Sequence, residues 1–234
     1  MASNSSIYTK QHRRRRRRIV RIFITIAMVV LAVVIMMAAL RIRTLNAFKG
    51  EYRRSVDLTE RITANIAVWL QDVEGADVDT EWVRSRTEPM YIYSDLSFDR
   101  NGLRKGTYTE ELDEASYTEC EDMAYSVCAD CLRELIIKRL VMTGYAESIS
   151  DDTADKLISE ALGMTLNNYI KNAGVEILPD HDELAGEIGR SGEYRIKGNF
   201  VSWERAGATV TDEFRRAKRS LVIVEPEYVY KEVQ

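Results

Sequence analysis

Residues 44–73, TLNAFKGEYRRSVDLTERITANIAVWLQDV, set Leu45, Phe48, Tyr52, Ser55, Thr59, Ile62, Ile66, Trp69 and Val73 at alternating spacings of three and four. That period collects side chains on one face of an α-helix, and held over about four heptads it makes a coiled-coil seam. Neither Gly nor Pro separates Leu40 from Phe48, so the helix is expected to continue unbroken from the segment before it; Gly50 alone weakens that reading. Ser55 and Thr59 interrupt the seam with polar groups. The remaining positions, Leu45, Phe48, Tyr52, Ile62, Ile66 and Trp69, either pack on their own domain or meet a second copy as a membrane-proximal homo-oligomer contact.

Upstream, Ile22–Leu40 carries no charge, and Thr25 is its one polar residue. At 1.5 Å per residue this run is about 28 Å long, close to the hydrocarbon thickness of a bilayer. Residues 19–40 are therefore expected to form a transmembrane signal anchor, with Ile22, Phe23, Leu31 and Leu40 among its lipid-facing residues. A cleaved signal peptide would need a shorter apolar region and a small-x-small site, for which Ala38-Ala39 is a weak match. Before the anchor stand Lys10, Arg13, Arg14, Arg15, Arg16, Arg17, Arg18 and Arg21; the fifteen residues after it hold Arg41, Arg43, Lys49, Arg53 and Arg54. This excess of basic residues on the N-terminal side places the N-terminus in the cytoplasm and the rest of the chain outside. Residues 1–12 are small and polar, so the tail 1–18 is expected to be disordered.

The charge is unevenly spread. The 33 basic and 37 acidic residues give a formal net charge of −4, but the eight basic residues before residue 41 face no acidic ones. The remainder thus holds 25 basic against 37 acidic residues, a net −12. An acidic domain of that kind lacks the concentrated basic surface that phosphate contacts require, which excludes nucleic acid as a partner.

Downstream of the seam, residues 74–109 read as irregular. Gly75, Asp77, Asp79, Glu81, Pro89 and Asn101-Gly102 punctuate them, with a short strand at Met90–Tyr93. Thr107 with Glu110 spells a capping box for a helix over Tyr108–Met142, stopped by Gly144. A further helix runs from Ser150 as N-cap to Asn172, with Gly174 beyond its end. After Pro179 the texture changes. Tyr194–Lys197 and Phe200–Trp203 flank Gly198-Asn199, a hairpin signal; Leu221–Val224 is a short apolar run, and Tyr228–Tyr230 after Pro226 suggests an edge strand. Helices first and strands last predict an α+β domain over residues 74–234 with a small C-terminal antiparallel sheet, reached through a membrane-proximal helix over 41–73.

Few residues point to chemistry. Cys120, Cys128 and Cys131 share one face of the expected helix and read as buried thiols. A zinc site, an intermolecular disulfide and a Cys128–Cys131 bridge are the alternatives. The run Glu110–Asp122 holds seven carboxylates in thirteen residues and reads as a solvated helix start. Asp180-His181-Asp182-Glu183 could serve acid–base or metal chemistry, but also forms a capped helix start, with Asp180 as N-cap and Glu183 at N3. Nucleotide-binding, serine-hydrolase and zinc-protease signatures are absent, and the chain has two histidines. No catalytic, cofactor-binding or metal-binding residue is assigned, and no enzymatic activity is expected.

A basic run, a single anchor, an extended helix and an outer α+β domain together resemble the plan of small accessory subunits of bacterial secretion, conjugation and pilus systems, TadE-like proteins among them. The TadE-like anchor carries a Glu near its start, and Ile22–Leu40 has none. The resemblance implies a cell-envelope assembly or adaptor protein whose partners are the bilayer and envelope proteins. Alternatives are a tethered domain for a ligand or wall polymer, and a surface enzyme.

Overall fold

The computed structural model describes residues 4–46, 48–74, 78–145, 147–205, 207–217, 219–224 and 228–233. The chain divides into two compact units, residues 1–48 and 49–234. The first is a single helix, α1 (Asn4–Leu45). Within it, Ile22–Ile42 is long and apolar enough to cross a membrane, and its side chains are exposed rather than packed in a core. Ile22, Phe23, Leu31 and Leu40 all lie on this stretch. Arg13 to Arg18 and Arg21 lie on the same helix, but their side chains are outside the described ones. The helix ends where Asn46 N–H reaches Ile42 O and Phe48 N–H reaches Leu45 O.

The second unit overturns the expected fold class. It is a closed antiparallel barrel of eight strands in chain order, β1 (Gly50–Asp57), β2 (Tyr91–Asp99), β3 (Lys105–Leu112), β4 (Arg190–Lys197), β5 (Phe200–Arg205), β6 (Ala208–Ala217), β7 (Ser220–Ile223) and β8 (Tyr228–Glu232). The long membrane-proximal helix over 41–73 is not formed. Gly50 has φ +101, a conformation that glycine enters without steric cost and that a helix does not contain. From there Tyr52, Arg54 and Val56 turn inward while Glu51, Ser55 and Asp57 face out. The spacings of three and four across this stretch combine a strand with the helix that follows it, so they mark no common face.

Two excursions interrupt the barrel. Between β1 and β2 the chain forms α2 (Thr59–Glu74) and α3 (Thr80–Arg84); between β3 and β4 it forms α4 (Glu114–Met142), α5 (Asp151–Leu162), α6 (Leu166–Asn172) and α7 (His181–Ile188). Asp57 ends β1 and starts α2 by accepting from the backbone N–H and the hydroxyl of Thr59 at 2.9 and 2.5 Å. The helix expected over Tyr108–Met142 begins six residues later. Its cap is Asp113, which accepts from Ser116 N, because Thr107 and Glu110 belong to β3. Ser150 does cap α5, but Gly163 at φ +70 ends that helix early and Thr165 caps a separate α6. Both excursions leave and rejoin at the end of the barrel where β1 and β3 finish, and their apolar faces build one core. Ile62, Ile66, Leu70, Val83, Cys128, Ile170 and Leu184 are central to it.

Inside the barrel, side chains fill the lumen, as expected for eight strands. Tyr52, Phe98, Tyr108, Tyr194 and Trp203 form an aromatic cluster with ring centroids 4.9 to 6.0 Å apart. Gly106 makes room for it: a Cβ there would meet the Asp99 carbonyl and come within 2.9 Å of the Tyr194 hydroxyl. The Gly198-Asn199 hairpin forms as expected, with Lys197 opposite Phe200. Tyr228–Tyr230 is no edge. β8 pairs with β7 and, through Tyr52 opposite Glu232 and Arg53 opposite Lys231, with β1, closing the ring. Pro226 lies outside the described residues, as do Gly75 and Asp77.

Candidate functional site

Two polar constellations stand out, one sealed and one open. The sealed one is in the barrel. Glu110, on the inward face of β3, is 3% exposed. Its Oε1 accepts from Arg54 Nη2 at 3.0 Å, Ser94 Oγ at 2.9 Å and Tyr230 Oη at 3.2 Å. The Arg54 guanidinium lies 4.3 Å from the centroid of the Tyr228 ring. Burial, and then the neighbouring Glu110 charge, push the Tyr230 hydroxyl well above its usual range, so it stays protonated and donates. Glu110 therefore does not belong to a solvated helix start. It is one half of a buried ion pair in a hydrogen-bonded network, which fixes the relative placement of β1, β2, β3 and β8.

The open constellation is a cleft of about 510 Å³ in the helical part, between α2, α4 and the segment 174–180 that leads into α7. Three side chains strap that segment down. Asn65 Nδ2 donates to Ile177 O at 3.0 Å, Tyr117 Oη to Pro179 O at 3.1 Å and Tyr125 Oη to Val175 O at 3.1 Å. With their hydroxyls committed, the two tyrosines offer the cleft their ring surfaces. Burial and then Glu121 raise both phenols, so both are neutral. The remaining polar lining is Arg61, Glu121, Glu176, Asp180 and Glu183. Arg61 is engaged by Glu183 at 2.6 Å and Glu187 at 3.5 Å. Glu121 is half-buried and makes no ion pair among the described residues. Close by, Lys171 pairs with Asp122 at 2.7 Å while its ammonium lies 5.2 Å from the Tyr125 ring centroid.

The six positions read as a seam do not share a face. Leu45 ends α1, Phe48 is fully buried in the connection after it, and Tyr52 lies inside the barrel at 2% exposure. Ile62 and Ile66 are fully buried in the helical core, and Trp69 packs against that core part-buried. The run Asp180–Glu183 caps α7 as expected, Asp180 accepting from Asp182 N, and also contributes Asp180 and Glu183 to the cleft. Arg61 and Asn65 on α2, Tyr117 and Tyr125 on α4, and Glu176 on the strap come from three segments far apart in sequence, so no sequence signal joins them.

Cys120, Cys128 and Cys131 are free and buried in the helical core. Burial pushes Cys120 and Cys131 up to about 11 and Cys128 higher still, from an ordinary 9.0. A folded pKa above the unfolded one means the folded state keeps protons that the unfolded state gives up. Their contribution is present in full below pH 9.0 and lost as pH rises through about 11. A thiol reagent at neutral pH should label the folded protein slowly and all three sites promptly in denaturant. Prompt labelling of any of the three in the folded protein would contradict this burial.

Compared with known protein families, characterised proteins and solved structures, the chain gives no significant match.

Proposed function

We propose that this protein is a membrane-tethered adaptor or assembly factor acting through protein–protein contact outside the cytoplasm, in the manner of an accessory subunit of an envelope machine. The observation that carries the reading is the distribution of charge over the fold. Residues 113–189, the α4–α7 excursion, hold 17 acidic and five basic residues, a net −12. That excess equals the net charge of everything after residue 40, and it sits on the element that also borders the cleft. A barrel packed with its own side chains is a scaffold, and the acidic excursion is the surface it displays to a basic partner. A tethered domain for a small ligand is a second reading, favoured by the size of the cleft, which falls in the range of small-molecule sites.

The apolar Ile22–Ile42 helix supplies the tether, and the eight basic residues before Ile22 against five in the fifteen residues after Leu40 supply the orientation. Protease added to intact spheroplasts should remove the barrel and its helices. Digestion only after permeabilisation would reverse the topology. Crosslinking in membranes, followed by recovery of the chain, should then capture basic envelope proteins, and recovery of the chain free of any partner counts against the adaptor.

A further inference from the structure

We infer that the cleft between α2, α4 and the 174–180 strap is a seat for a lysine or arginine side chain of a partner protein, with Glu121 as its counter-charge and the rings of Tyr117 and Tyr125 as its walls. This inference rests on the adaptor reading and names the chemistry by which contact is made. Three observations carry it.

The first is the state of Glu121. It lies in the first third of α4, one turn from each tyrosine, is half-buried, and makes no ion pair among the described residues. Lys171 lies within its field but pairs with Asp122, and the cleft's own guanidinium, Arg61, is held by Glu183 and Glu187. A half-buried carboxylate beside low-dielectric walls attracts a cation more strongly than one in open water. The second is the orientation of the tyrosines. Both hydroxyls point at strap carbonyls, and the Tyr117 ring packs edge-to-face with His181 at 5.2 Å, so what the two tyrosines add to the cleft is the ring surface left beside these contacts. Ring faces attract ammonium and guanidinium groups through their quadrupoles, and the fold already does this once at the same place, with Lys171 beside the Tyr125 ring. The third is shape. A volume of about 510 Å³ open to solvent admits a long flexible side chain, whose apolar stem would lie along the rings while its charged head reaches Glu121. Glu176 and Asp180 at the rim extend the same sign of charge and favour a partner segment with further basic residues.

The test uses the full chain in lipid nanodiscs and an oligolysine peptide as probe, with binding followed by calorimetry at low and moderate salt. Wild-type protein is expected to bind, and Glu121→Gln to weaken binding about tenfold or more. Glu160→Gln on α5 removes the same charge elsewhere on the excursion and should change affinity less than about twofold. Equal weakening by both substitutions would mean diffuse attraction to the acidic surface and would overturn the seat. Tyr125→Leu should also weaken binding, and unchanged circular dichroism of each variant separates loss of the site from loss of the fold. If Glu121→Gln unfolds the chain, Glu121→Asp, which keeps the charge and shortens its reach, replaces it; unaltered affinity there overturns the proposal. Lysine amide binding as tightly as the peptide would assign the cleft to free amines and not to a partner. Envelope proteins captured equally well by wild type and Glu121→Gln would leave the adaptor reading standing and reject this seat alone.

Discussion

Replacing Glu110 with alanine should destabilise the barrel by about 3–5 kcal/mol, enough to unfold much of a domain of ordinary stability. The carboxylate neutralises Arg54 and takes three hydrogen bonds on one oxygen, from three different strands. Without it the guanidinium, 9% exposed as a residue, keeps its charge among Ser94, Tyr228 and Tyr230 and has lost its only salt-bridge partner among the described residues. Cation–π contact with Tyr228 offsets a small part of that cost. Urea unfolding followed by tryptophan fluorescence would read the change, since Trp203 reports on the lumen. Replacing both partners by apolar residues, Arg54→Met with Glu110→Leu, should restore most of the loss, because a buried pair costs desolvation that an apolar pair does not. A loss below about 1 kcal/mol for Glu110→Ala would mean that Arg54 escapes to water and that the lumen is not sealed.

The second large effect is expected from Ile62→Asp combined with Ile66→Asp. Both side chains are fully buried on α2, in the core that this helix shares with α3 and α4, and each substitution places an unpaired carboxylate in an apolar core. The pair should cost well over 4 kcal/mol and leave the helical part molten or unfolded, seen as lost cooperativity in thermal circular dichroism. A cooperatively folded double variant that no longer crosslinks to its own copies would instead return these two isoleucines to a contact between chains.

How far the fold could be read from residues depended on what each strand places inside. The late strands were legible because FVSW beside Gly198-Asn199, LVIV at 221–224 and YVY at 228–230 put β-branched and aromatic residues where strands need them. The early strands hid because their inward positions are not uniformly apolar. β1 turns Tyr52, Arg54 and Val56 inward, and β3 turns Gly106, Tyr108, Glu110 and Leu112 inward. A buried Arg54 and a buried Glu110, 56 residues apart in sequence, erase the two-residue apolar alternation that each strand would otherwise show. β2 alternates Ile92, Ser94, Leu96 and Phe98 inward, but tyrosines at 91 and 93 on the opposite face blurred the contrast. Asn101-Gly102 lies in the connection between the paired strands β2 and β3, but with neither strand legible it marks only a break in the sequence, not a hairpin. Helix caps at Ser150 and Asp180 were legible because capping is local chemistry. The cleft was not, since α2, α4 and the strap meet only through tertiary packing. Of its lining, Glu121, Asp180 and Glu183 stood inside acidic runs already noticed, but nothing in those runs marked them out from their neighbours.

The closure between β1 and β8 carries a consequence for synthesis. Tyr52 finds Glu232, and Arg53 finds Lys231, only when all the intervening strands and helices have been made. The helices can form early from local contacts, while β1 waits with one flank unpaired until β8 has been made. An unpaired flank of this kind recruits other strands, and Arg53 and Arg54 on β1 give it charges that discourage such pairing. The order in which the chain is made thus puts ring closure after the other strand pairings have become possible, and a chain cut short before Tyr228 would present two open flanks, on β1 and β7, to any quality-control protease.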